Sequence, residues 1–242
     1  MRRFYAPTEQ FQGDTVRLDP EETRHLARVL RLGVGARVQV CDGRGRQVEA
    51  EVLSLEAGQA CLKVMRELDP WGESSLALVL AIGFPKGGVL DEVIRQATEL
   101  GVQQIIPFIS ERSERPDPRR AARRLSRWQK VARESLKSCQ RALLPQIEAP
   151  REFPDVLTGP EELKLIFWEE ERGGGLSAVL TRHRPLGVRV LIGPEGGFAA
   201  AEVAQAREAG FRVMSLGPRR LKVETAALAA LTLMQYAWGD LA

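Results

Sequence analysis

The sequence predicts a small β-barrel over its first third and an α/β domain built on a parallel sheet over the rest, dividing at residues 1–72 and 73–242. Three observations predict this. Up to Leu68, short runs with valines at alternating positions are separated by tight turns, which is the pattern of a small barrel. From Leu76 onward, uninterrupted apolar runs alternate with helix-period segments, as strands buried on both faces do when helices join them. At Asp69-Pro70-Trp71-Gly72 one pattern gives way to the other.

Taken in order, VRLDP leads into a helical stretch, EETRHLARVLRL, and three strands follow in ARVQVCDG, RQVEAEVLSL and QACLKVMREL. Asp42-Gly43-Arg44-Gly45 between two of them is a hairpin turn, because glycine supplies the positive φ such turns need. Beyond Gly72 come strand LALVLAIG, helix VLDEVIRQATELG, strand QQIIPFIS, a basic helix, strand KLIFWEE, a short helix near LSAVLTRH, strand VRVLIG, helix AEVAQAREAG, strand FRVMSLG and a last helix, ETAALAALTLMQYAWG. On the basic helix, Ala121, Leu125, Trp128, Ala132 and Leu136 share one face at spacings of three and four. Arg120, Arg123, Arg124, Arg127, Lys130 and Arg133 fall outside that stripe. Two readings of that cationic surface stay open: a solvated helix face, or a phosphate-contacting one.

The chain of 242 residues is 44% hydrophobic and 28% charged, which excludes a disordered composition. No apolar run reaches the length of a membrane span, and MRRFYAPTEQ has no secretion-signal stretch. Cys41, Cys61 and Cys139 are scattered without metal-ligand spacing, so the expectation is a cytoplasmic protein with no metal and no membrane partner. The net charge of +3 hides the crowding of arginine and lysine between Arg112 and Arg141.

One loop asks for a ligand. LIGPEGGF, at 191–198, ends an apolar strand with Gly193, Gly196 and Gly197 around one proline and one carboxylate. Each glycine has an entropic cost, and ligands of parallel sheets lie at the carboxyl ends of strands. The chain lacks GxGxxG and GxxxxGK[ST], Pro194 removes an amide donor, and Glu195 repels phosphate, so a dinucleotide or triphosphate fits poorly. Two further strand ends stand beside this loop in the reading: Phe167-Trp168-Glu169 and LGPRRLKVET.

LIGPEGGF, followed some twenty residues later by LGPRRLKVETAALAAL, resembles the bacterial small-subunit (16S) ribosomal RNA uridine-N3-methyltransferase family of the SPOUT superclass. HLARVLRL, AIGFPKG, ATELGV and SERS match that family in order, so the resemblance spans nearly the whole chain. Lys222-Val223 stands where the family commonly has arginine and threonine, and Ser138 where it has glutamine.

The resemblance implies a PUA-like RNA-binding barrel at 1–72 and a trefoil-knotted methyltransferase domain at 73–242 that binds S-adenosyl-L-methionine (SAM) and forms a homodimer. It places cofactor binding at Phe167, Trp168, Glu169, Ile192, Gly193, Pro194, Glu195, Gly196, Gly197, Leu216, Gly217, Leu221, Lys222, Thr225 and Ala226. The reaction it implies is methylation of N3 of one uridine in the decoding region of 16S rRNA, with the assembled small subunit as partner. Since that proton is not acidic at neutral pH, a carboxylate is wanted near the cofactor: Glu224, or else Glu195 or Glu169. Lys222, Arg219 or Arg220 would stabilise charge on the uracil oxygens. Arg2, Arg3, Arg24, Arg28, Arg31, Lys86, Arg112, Arg123, Arg124, Arg127 and Arg141 are the expected RNA contacts. A SAM-binding assembly factor without turnover, or a transfer RNA methyltransferase of the same superclass, is the alternative.

Overall fold

The computed structural model describes residues 1–241 except 57, 70, 116, 174, 176–178 and 180–183, and at 118–121 it describes the backbone alone. The chain divides into two compact units, Met1–Glu73 with Arg133–Leu144, and Ser74–Ala132 with Pro145–Ala242.

The first unit is a six-stranded sheet with strand order β1-β4-β5-β6-β3-β2. Its strands are β1 (Arg3–Tyr5), β2 (Phe11–Gln12), β3 (Thr15–Arg17), β4 (Arg37–Cys41), β5 (Gln47–Glu56) and β6 (Gln59–Leu68). Alternation decides which residues face the core: Val38 and Val40 of β4, Val48, Ala50 and Val52 of β5, and Ala60 and Leu62 of β6 are all buried. Register shifts at Glu49/Ala50 and Val52/Ser54 bend the long β5–β6 ladder, as bulges do. Helix α1 (Pro20–Arg24) starts where Asp19 accepts the Glu22 amide at 2.7 Å, with Pro20 in its first turn. It runs into one π-helical turn, His25–Val29, that buries Leu26.

The second unit holds a parallel sheet of order β10-β8-β7-β12-β11-β13, with β9 also on β8. Here β7 is Ala77–Gly83, β8 Gln104–Ile109, β9 Gln146–Ile147, β10 Arg151–Glu152, β11 Leu163–Phe167, β12 Gly187–Ile192 and β13 Arg212–Met214. Every residue of β12 is buried, and so are all of β7 but the first, which explains the unbroken apolar sequence of β7; β12 carries one charge, Arg189, whose buried guanidinium pairs with Glu161 at 2.8 Å. Helices α2 (Val89–Glu99), α3 (Pro118–Cys139), α4 (Ala200–Glu208) and α5 (Val223–Trp238) follow in chain order. Helix α5 packs on α2, β7 and β12. A second core layer centres on Phe108, Phe153 and Phe198, with Phe108 and Phe198 stacked at 6.1 Å. The expected short helix at 176–183 lies outside the described residues, apart from Val179.

On α3, Trp128, Ala132 and Leu136 are buried and Leu125 half-buried, as the spacing predicts; the Ala121 side chain lies outside the described ones. The last turns of this helix and the residues up to Leu144 group with the first unit, not with the second as the sequence suggests. Polar contacts within that unit explain this. Lys137 pairs with Glu22, and Arg3 donates to the Gln140 and Arg141 carbonyls at 2.6 Å each. Glu73 accepts from the Ala142 amide at 2.6 Å, the Leu143 amide at 2.8 Å and the Arg141 guanidinium at 2.9 Å. Among the described residues no helix is long and apolar enough to cross a membrane, and no cluster of metal-ligating side chains occurs.

Candidate active site

The site is set by sheet register. Phe167 at the end of β11 pairs with Ile192 on one side and Met214 on the other, so three neighbouring strands end level. Their following loops enclose a cavity of about 500 Å³, within the range of small-ligand pockets. Of the expected cofactor residues, Phe167, Trp168, Glu169, Ile192, Gly193, Pro194, Glu195, Gly197, Leu216, Gly217, Leu221, Lys222 and Ala226 all line it. The catalytic candidates Glu224 and Lys222 line it too.

Two residues expected there do not line the cavity. Thr225 is exposed on α5. A Cβ on Gly196 would stand 2.9 Å from Cβ of Arg112, whose guanidinium donates to the Gly196 carbonyl at 2.9 Å. Gly196 is small because it packs on Arg112. Gly197 has the stronger requirement: its φ is +69°, and a Cβ there would meet the Glu169 carboxylate at 2.1 Å.

The walls are mixed. Phe167, Ile192, Leu216, Leu221 and Ala226 give apolar surface, while Glu169, Glu195, Glu224, Arg219, Arg220 and Lys222 give three charges of each sign. Lys222 precedes α5 in extended conformation and no side chain caps that end, so the first amides of the helix are free to serve a ligand. The buried indole nitrogen of Trp168 has no hydrogen-bond partner among the described residues. Apolar walls for an adenosyl group, free backbone donors and carboxylates for a cationic centre suit SAM.

The sequence reading missed Val89, Ser215 and Val223 as lining residues. Val89 had a signal: GFPKGG is a second glycine-rich strand end, and Val89 opens the helix after it.

The expected RNA contacts separate. Arg141 is 2% exposed and bound to Glu73, and Arg3 is spent on backbone carbonyls and Gln47. Both guanidiniums are engaged within the first unit, Arg141 buried and Arg3 half-buried. Arg112 holds the Gly196 carbonyl, Arg124 lies 5.2 Å over the Phe84 ring, Arg127 pairs with Asp91 at 2.5 Å, and Lys86 pairs with Glu114 at 3.2 Å. Arg2, Arg24, Arg28, Arg31 and Arg123 are exposed and make no ion pair with a described residue. By contrast Arg37, Arg44, Arg46 and Arg66 are neutralised by glutamates.

A parallel sheet with glycine-rich strand ends around a cavity is the frame of a ligand-binding α/β domain, and comparison with known families gives the class, an RNA methyltransferase. Residues 72–235 match the RNA methyltransferase domain and residues 18–65 the RNA methyltransferase PUA domain. The ribosomal RNA small subunit methyltransferase E of Synechocystis is 33% identical, over 95% of this chain and 75% of that one. The protein of the same name in Bacillus subtilis is 29% identical over 98% and 96%. The Neisseria gonorrhoeae protein of that name, solved bound to S-adenosylmethionine, superposes with a TM-score of 0.90 at 34% identity over the whole of both chains. A methyltransferase of Legionella pneumophila in complex with the same cofactor gives 0.90 at 32% identity, covering 99% of this chain and 98% of that one. The chain belongs to the ribosomal RNA small subunit methyltransferase E family.

Proposed function

We propose that the chain transfers a methyl group from SAM to N3 of one uridine in the decoding region of 16S rRNA within the small ribosomal subunit. It acts in the cytoplasm as a homodimer with the trefoil knot of the SPOUT superclass. The observation that carries the reading is the level ending of β11, β12 and β13, which brings Glu224 and Lys222 into the cavity of the glycine loop.

When bound, the cofactor supplies an electrophilic methyl on a sulfonium. Glu224, half-buried in the first turn of α5 and without an ion-pair partner among the described residues, accepts the N3 proton. Lys222, Arg219 and Arg220 stabilise negative charge on the uracil oxygens. The loops beginning at Gly193 and Leu216 would hold the cofactor, and fixing it against the uracil would contribute much of the acceleration. The uracil must leave its stack to enter such a cavity. The exposed Arg2, Arg24, Arg28 and Arg31 of the first unit, unpaired among the described residues, hold RNA phosphates.

The test supplies purified protein with isotope-labelled SAM and, separately, small subunits, naked 16S rRNA and transfer RNA. The expected product is N3-methyluridine in small-subunit RNA. Glu224→Gln should keep calorimetric SAM affinity while turnover falls by roughly a hundredfold or more, the usual worth of a general base. Methylated transfer RNA, or SAM binding without any turnover, would contradict the proposal.

A further inference from the structure

We propose that Glu195 is a positioning residue, clasping the loop after β12 to the loop after β7, and that it is not the proton acceptor; this rests on the SAM-site reading above. Although Glu195 lines the cavity, its Oε1 accepts the backbone N–H of Lys86 at 2.9 Å. The donor is a backbone amide of the loop that follows β7, three residues past the strand's last residue, Gly83, and not a side chain. The two loops are pressed together there: a Cβ on Gly83 would lie 2.4 Å from the Pro194 nitrogen. Within the β12 loop the Gly197 amide donates to the Pro194 carbonyl at 2.8 Å and closes the turn, and Arg112 holds Gly196 at 2.9 Å.

Glu195 is therefore the side-chain tie between the cofactor loop and Lys86-Gly87-Gly88, whose next residue, Val89, forms cavity wall. A charge-assisted bond to a backbone amide is among the stronger neutral-pH hydrogen bonds, and it fixes geometry as well as energy. Without it the two loops are free to part, and the ligand then has to restore their spacing. Among the described residues Glu224 makes no such bond to a backbone amide, which leaves it the proton assigned to it above.

Three variants test this by SAM calorimetry, thermal melting and turnover on small subunits. Glu195→Ala should weaken SAM binding by roughly tenfold, the worth of one charge-assisted hydrogen bond, while the protein still melts cooperatively. Glu195→Gln keeps an oxygen acceptor and should recover most of the affinity and the turnover. Lys86→Ala keeps the amide and should leave SAM affinity within about twofold of the parent, inside the noise of a lost surface charge. A parental SAM affinity in Glu195→Ala would overturn the clasp. So would Glu195→Gln as inactive as Glu195→Ala with SAM still bound, which marks a proton acceptor. A loss of SAM affinity in Lys86→Ala equal to that of Glu195→Ala would put the interaction in the ammonium instead of the amide. Failure of the parent protein to methylate RNA would sink the reaction assigned above and leave the calorimetric comparison of loops intact.

Discussion

Lys137 brings a buried ammonium against two carboxylates, those of Glu22 and Glu134. Burial alone would lower its pKa, but the hydrogen bonds and charges of the two glutamates outweigh it, so the pKa lies above 10.5. A raised lysine stabilises fully below its ordinary value and loses that contribution as pH climbs through the folded value. For Glu22, burial pushes the carboxyl above 4.5 although Lys137 and the Tyr5 amide pull it back. Its raised pKa likewise gives stability that is complete below 4.5 and declines as pH rises through the folded value. Chemical denaturation from pH 3 to 12, taken as the difference between the parent and Glu22→Gln, should show one decline above 4.5 and another above 10.5. A difference flat with pH would mean that the pair does not couple to folding.

At the scale of elements, α3 combines two jobs on two faces. Its apolar stripe is anchored where the Trp128 ring meets Phe84 edge-on at 6.1 Å, and Arg124 covers the same Phe84 ring. Reversing Arg124 thus disturbs packing as well as charge, and reversing Arg127 also breaks its pair with Asp91. Arg123 is exposed and unpaired among the described residues, so Arg123→Glu isolates the phosphate question. If the helix contacts RNA, binding should weaken and the salt slope shrink by about 0.7–0.9, the value of one phosphate contact, with SAM affinity unchanged. An unaltered slope returns the helix to a solvated face. The long elements were legible because their periods are: an unbroken apolar run gave β7, a run broken only at Arg189 gave β12, and spacings of three and four gave α3. Strands β1, β2, β9 and β10 have two or three residues each, too few to show any period. The glycine loop was legible because a positive φ and close approach leave a mark on sequence, as at Gly197. Arg141 was not: an arginine reads as surface, and the acid that permits its burial stands 68 residues away at Glu73.

For the whole molecule, the contacts of Glu22, Glu73 and Arg3 tie residues 133–144 to the N-terminal third. Deleting residues 1–73 would strand the buried charges of Lys137 and Arg141, and breaking a buried pair costs about 3–5 kcal/mol. Loss of function in such a truncation would therefore report lost stability along with lost RNA grip, and the intact chain is the proper subject for a test. That test is mass-spectrometric mapping of methylated uridines in small-subunit RNA from cells with and without the gene. The first should carry a methyl on N3 of one uridine and the second an unmodified uridine at that position, with the methyl restored by the parent gene but not by the Glu224→Gln form. Identical small-subunit RNA from both, or a difference confined to transfer RNA, would contradict it.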